Sequence, residues 1–187
     1  MQSHFYINIM KENRSYLQRY AMLFGTYMGS FWILKFIIFP IGLTVPFLLL
    51  MFAGLTLAVP FVGYYYAKTY RNQACGGYIS FFHAWMFSLF MYLFAALLTA
   101  VAHFIYFRYI DQGYILSTYS NILNNLPPET AKEMGDYIAL LKDSLNVVRG
   151  MSPIEITMQL VSQNVFYGSL IAIPTALFVM KKEKKSE

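Results

Sequence analysis

The sequence predicts an all-α fold: an integral membrane four-helix bundle with an extramembrane helical segment between the third and fourth spans. Three observations predict it. Of 187 residues, 58% are hydrophobic and only 12% charged, against about 25% charged in an average soluble domain. No charge falls between Lys35 and Lys68, between Arg71 and Arg108, or from Ile156 to Met180. Each gap exceeds the roughly 20 residues a helix needs to cross a hydrocarbon core. Aromatic residues make up 19% of the chain, with 16 tyrosines. Many stand at the ends of these runs, where amphipathic rings favour the interface.

The first span is expected at about 20–39, with Lys35 near its end and Pro40 and Gly42 marking a reversal. The second is expected at about 43–67, the third at about 79–107 and the fourth at about 160–180, all within one membrane domain of residues 1–187. Pro46, Pro60 and Pro174 lie in or near spans, where neighbouring helices can satisfy carbonyls freed at a kink. The first twenty residues lack an apolar core followed by a small-residue cleavage site, so no cleaved signal peptide is expected.

Small residues recur every four positions, which lets helices approach closely. Ala21, Gly25 and Gly29 form one such ridge, Gly54 and Ala58 a second, Ala96 and Ala100 a third, and Gly168, Ala172 and Ala176 a fourth. Most are expected to serve internal packing, with self-association as a lesser alternative.

The net charge of +5 reads as a membrane signature. Neither basic cluster is interleaved with the aromatics of a base-stacking surface, so no nucleic-acid partner is expected. With four spans, Lys11, Arg14, Arg19, Lys68, Arg71, Lys181, Lys182, Lys184 and Lys185 share one side. Lys35, Arg108, Lys132, Lys142 and Arg149 share the other. The excess of basic residues near helix ends puts both termini in the cytoplasm.

Residues 109–153 are the only sizeable extramembrane piece. A polar loop through Asn121, Asn124, Asn125 and Pro127-Pro128 is expected first, then an amphipathic helix at about 129–149. Met134, Ile138, Leu141, Leu145 and Val148 fall on one face of that helix. This stripe would dock on the membrane surface, on the protein's own helices or on a partner. The opposite face is acidic, which is unlike the basic faces that bind anionic lipid.

The segment from Tyr70-Arg71 through Gly76-Gly77-Tyr78-Ile79-Ser80-Phe81 to Ile105-Tyr106 and Ile110-Asp111 resembles the DUF4199 family of small bacterial membrane proteins. Met151-Ser152-Pro153 before a last helix ending in Lys181-Lys182 is similar too. His83 and Trp85 stand where smaller or amide side chains are usual in that pattern. The resemblance implies four membrane helices in a bacterial inner membrane. It implies no activity and no catalytic residue.

Chemistry-bearing residues are few. Cys75 and His83 would form a dyad only if the loop folded back, and no acidic residue lies between Arg71 and Arg108 to orient it. They are too few for a structural zinc, and no metal or other cofactor is expected. Gly76-Gly77 lacks phosphate-loop spacing and reads as a turn capped by Ser80 or Tyr78. By depth along the helices, Lys35, His103, Arg108, Asp111 and Glu155 lie at one level, and Glu155, Gln159 and Gln163 share a helical face. Each of these side chains is expected to snorkel to the interface alone, with an outer polar cluster that holds an anionic headgroup or substrate as the alternative.

No ionisable residue is expected at a bilayer centre, which argues against ion-coupled transport. The expectation is a non-enzymatic scaffold or partner-binding protein whose partners are the lipid bilayer and another membrane protein. The alternative is a small transport or lipid-handling component, accessory to a membrane glycosyltransferase by fold-level analogy.

Overall fold

The computed structural model describes residues 2–182, with side chains from Tyr16 onward. Lys184 and Lys185, and the side chains of Lys11 and Arg14, lie outside the described residues. The chain is helical nearly throughout: α1 (Gln2–Gly42), α2 (Pro46–Ala74), α3 (Phe81–Ile105) running into a π-helical turn (Tyr106–Ile110), α4 (Tyr114–Asn124), α5 (Pro128–Glu133), α6 (Gly135–Arg149) and α7 (Pro153–Val179). Four segments are long and apolar enough to cross a membrane: Tyr16–Gly42, Pro46–Ala74, Phe81–Ile110 and Pro153–Val179.

The spans form a ring in which α3 lies between α1 and α7, and α2 closes the other side against the same two helices. The outward surface is apolar: Leu50, Leu57, Phe61 and Phe178 are 71–76% exposed, an arrangement stable in lipid and costly in water. The buried core is aromatic and small by turns. Phe24, Tyr70 and Phe87 fill the end that carries the termini, with Tyr70 and Phe87 stacked at 4.1 Å.

Small-residue ridges set the helix spacing. A Cβ on Gly25 would lie 2.7 Å from Phe94 Cβ, and one on Gly29 3.1 Å from the Ala95 carbonyl, so α1 lies backbone-close to α3. A Cβ on Gly168 would lie 2.8 Å from Tyr92 Cβ, and Ala172 and Ala176 are fully buried on the same face. The expected Gly54–Ala58 ridge does not pack, because nothing lies within 4 Å of a Cβ on Gly54. The packing face of α2 is instead Val59, Gly63, Ala67 and Tyr70, and the Tyr92 hydroxyl occupies the space a Gly63 side chain would need.

The α2–α3 junction is a joint to the end of α7. Gly76 and Gly77 adopt φ of 63° and 88°, where glycine carries no Cβ penalty. They turn the chain so that Ile79 pairs with Lys181 through two 3.0 Å backbone hydrogen bonds. Arg71 Nη1 donates to the Val179 carbonyl at 3.0 Å, placing a cation at the negative end of α7. The Ser80 hydroxyl caps α3 by accepting from the His83 N–H.

At the other end the extramembrane segment differs from expectation. The polar stretch through Asn121 is helical (α4), anchored by Asp111, whose carboxylate accepts from Gly113 N–H at 3.0 Å and Ile115 N–H at 3.1 Å. Those bonds satisfy amides that a helix start leaves free. The helix expected at 129–149 is two helices, broken where Met134 (φ −110°, ψ 22°) leaves helical geometry before Gly135, a poor helix former. The helix that carries the fourth span begins at Pro153, ahead of the crossing segment expected from about 160, because Ser152 and Glu155 form a capping box.

Candidate functional site

The first half of α2, through Ala58, contains no buried residue, and α7 has none between Met158 and Tyr167. The ring of helices is therefore wider at the end bearing α4 and α6, and a cavity of about 350 Å³ opens there. Phe36, Phe39, Phe52, Phe107, Ile156 and Leu160 form apolar walls, and Ile115 and Leu116 of α4 with Val148 of α6 line it from the extramembrane side. The Tyr114 hydroxyl donates to the Pro40 carbonyl at 3.3 Å and holds α4 against the end of α1.

The polar groups in this cavity are Trp32, Lys35, Thr99, His103, Asp111 and Asn164. Trp32 and Lys35 precede Phe36 and Phe39 on one face of α1, at helical spacing. Thr99 and His103 are one turn apart on α3. The Thr99 hydroxyl donates to the Ala95 carbonyl at 2.7 Å, which leaves it an acceptor towards the cavity. Lys35 Nζ lies 5.3 Å from the Phe52 ring centroid. Trp32 Nε1 and His103 Nδ1 are buried without a hydrogen-bond partner.

Of the outer polar cluster that the sequence offers as an alternative, the structure brings Lys35, His103 and Asp111 to this one cavity. Arg108 is exposed, stacked 5.8 Å from the Tyr109 ring. Glu155 is exposed and engaged with Ser152 at 2.6 and 2.7 Å. Gln159 and Gln163 are exposed on the other side of α7. The cavity face of that helix is Ile156, Leu160 and Asn164, one residue further along. One residue rotates a helical side chain by about 100°, enough to change faces. Trp32 and Thr99 escaped the sequence reading. The signal for Trp32 was its i, i+3 spacing to Lys35.

The expected docking stripe is partly covered within the chain. Ile138 is buried, Leu141, Leu145 and Val148 are half-buried, and α6 packs antiparallel on α4, with Arg149 Nη2 donating to Ser120 Oγ at 3.1 Å. Met134 stays exposed, outside the stripe, because the helix breaks there.

At the opposite end, His83 Nε2 pairs with the Tyr70 hydroxyl at 2.8 Å. Burial pushes the Cys75 thiol above its usual range, partly offset by Tyr70, the reverse of what an activated thiolate needs. Among the described residues, no three His, Cys, Asp or Glu side chains come together to hold a metal.

Four long apolar helices in a closed ring, lipid-facing outside and hollow at one end, define a multi-pass membrane protein. The chain belongs to the family described as "Protein of unknown function (DUF4199)", whose family model matches residues 23–181. No curated protein and no solved structure matches it.

Proposed function

We propose that this protein is a non-enzymatic membrane binding protein that takes an amphiphilic molecule into the cavity at the α4–α6 end. The supporting observation is the cavity itself: about 350 Å³, apolar-walled, with a few convergent polar groups, the usual composition of a small-molecule site. The non-enzymatic reading is supported by the side chains that would do chemistry. Asp111 is committed to the start of α4 and His83 to Tyr70. Docking of a protein partner through α6 has less support, since α4 already covers part of the stripe that would serve it.

The family resemblance favours a bacterial inner membrane, and the basic residues favour both termini in the cytoplasm with the cavity near the outer surface. Native mass spectrometry of the purified protein tests the binding role. An amphiphile should remain bound, and Ile156→Trp, which fills the cavity, should release it while the protein still folds. Protein that carries no guest and takes up none when amphiphiles are supplied would sink the proposal.

A further inference from the structure

We infer that the guest is a single-chain amphiphile with a compact anionic head, held by Lys35, Trp32 and His103 with its tail directed past Phe36 towards lipid. The inference rests on the binding role proposed above and specifies its ligand.

The head group follows from Lys35, which lines the cavity, and from two unpartnered ring nitrogens just behind its walls. Trp32 is 7% exposed and His103 5%, yet Trp32 Nε1 and His103 Nδ1 have no partner. An indole N–H is only a donor, and leaving it unpaired in an apolar site is unfavourable. Lys35 adds a full positive charge to the same walls. Asp111, the one carboxylate lining the cavity, already accepts from the Gly113 and Ile115 amides. That carboxylate keeps its charge but is turned to the α4 amides, so the polarity left for a guest is the Lys35 amine with the Trp32 indole beside it, against acceptors on Thr99 and Asn164. The complement of that amine is an anionic acceptor such as a carboxylate or a phosphate monoester.

The tail follows from volume and from Phe36. At about 30 Å³ for each water-sized group, the cavity holds roughly a dozen such groups, enough for a head and part of one chain. Phe36 lines both this cavity and a groove on the lipid-facing side between α1 and α3, bounded by Ile33, Ile37 and Ile105. Its ring packs 4.3 Å from His103 and 5.1 Å from Tyr106, and so forms the partition between the two spaces. A path past that side chain would let the tail stay in lipid while the head is bound.

The chain has two tryptophans, so Trp85→Phe leaves Trp32 as an indole reporter inside the cavity. This variant would be placed in phosphatidylcholine nanodiscs with brominated single-chain probes of equal length. Four heads would be compared: carboxylate, phosphate, trimethylammonium and alcohol. Trp32→Phe, with Trp85 reporting at the far end, gauges quenching by probe merely dissolved in lipid.

One or both anionic probes should quench Trp32 at a concentration about tenfold below the ammonium probe, the scale of one charge-assisted hydrogen bond. Lys35→Gln should erase that preference and Lys35→Arg should keep it. A stronger carboxylate response points to a fatty-acid-like ligand, and a stronger phosphate response to a lysophospholipid-like one. Equal quenching by all four heads overturns the anionic inference while the binding role stands. No quenching beyond the Trp32→Phe control overturns both.

Discussion

Single residues in this protein are explained by what surrounds them more than by their chemical type. Cys75, His83 and Ser80 stand close together in sequence and suggest a reactive site, yet each has a structural partner or a structural role. Ser80 caps α3, His83 bonds Tyr70, and Cys75 is half-buried beside Tyr70. The thiol's raised pKa has a measurable consequence. The folded protein holds that proton more tightly than the unfolded chain does, so the thiolate fraction at neutral pH is depressed. Alkylation of Cys75 by iodoacetamide should be slower than that of an unfolded peptide control at pH 7, and should accelerate only well above about pH 8.5. Folding stability linked to this proton is intact below the ordinary thiol pKa and is lost as pH rises through the raised one. Rapid alkylation at pH 7 would show a thiol activated in a way its surroundings do not account for.

At the scale of elements, charge and periodicity locate helices well and orient them poorly. The charge-free runs marked the second, third and fourth spans, because desolvating a charge in hydrocarbon is costly enough to leave a clear gap. Rotation about each helix axis was harder to read. Gly54 and Gly63 are both small residues in an apolar run, and only the position of Tyr92 distinguishes the packed one. Gln159 and Leu160 differ by one residue, and the polar one faces away from the cavity. Extending a polar face by depth alone placed residues at the right height on the wrong side. The packing claim is testable by a matched pair. Gly168→Leu should destabilise the bundle by about 1–3 kcal/mol, the usual range for overpacking, whereas Gly54→Leu should cost nothing. SDS-induced unfolding in mixed micelles measures both, and equal losses at the two sites would refute the assigned faces.

For the whole molecule, the four-helix membrane architecture was legible in sequence, but the joint between residues 79 and 181 and the cavity were not. Both depend on segments far apart in the chain, and neither backbone pairing nor an unfilled space imposes a residue pattern. The proposed topology makes a direct prediction. A fluorescent protein fused after Lys182 should fold and fluoresce in the cytoplasm. Alkaline phosphatase inserted between Asn124 and Pro127 should be active on the opposite side of the membrane. The reverse pair of results would invert the protein.

The Ile79–Lys181 pairing also sets an order of events during synthesis. Its two partners are separated by 102 residues, which a ribosome adding about 5–20 residues per second takes roughly 5–20 s to bridge. Throughout that interval the first three helices lack the neighbour that α7 provides, and the backbone groups of Ile79 await Lys181. The nascent bundle is thus a three-sided trough open to lipid until α7 is made, and under the proposed function an amphiphile would reach its interior before the last wall arrives.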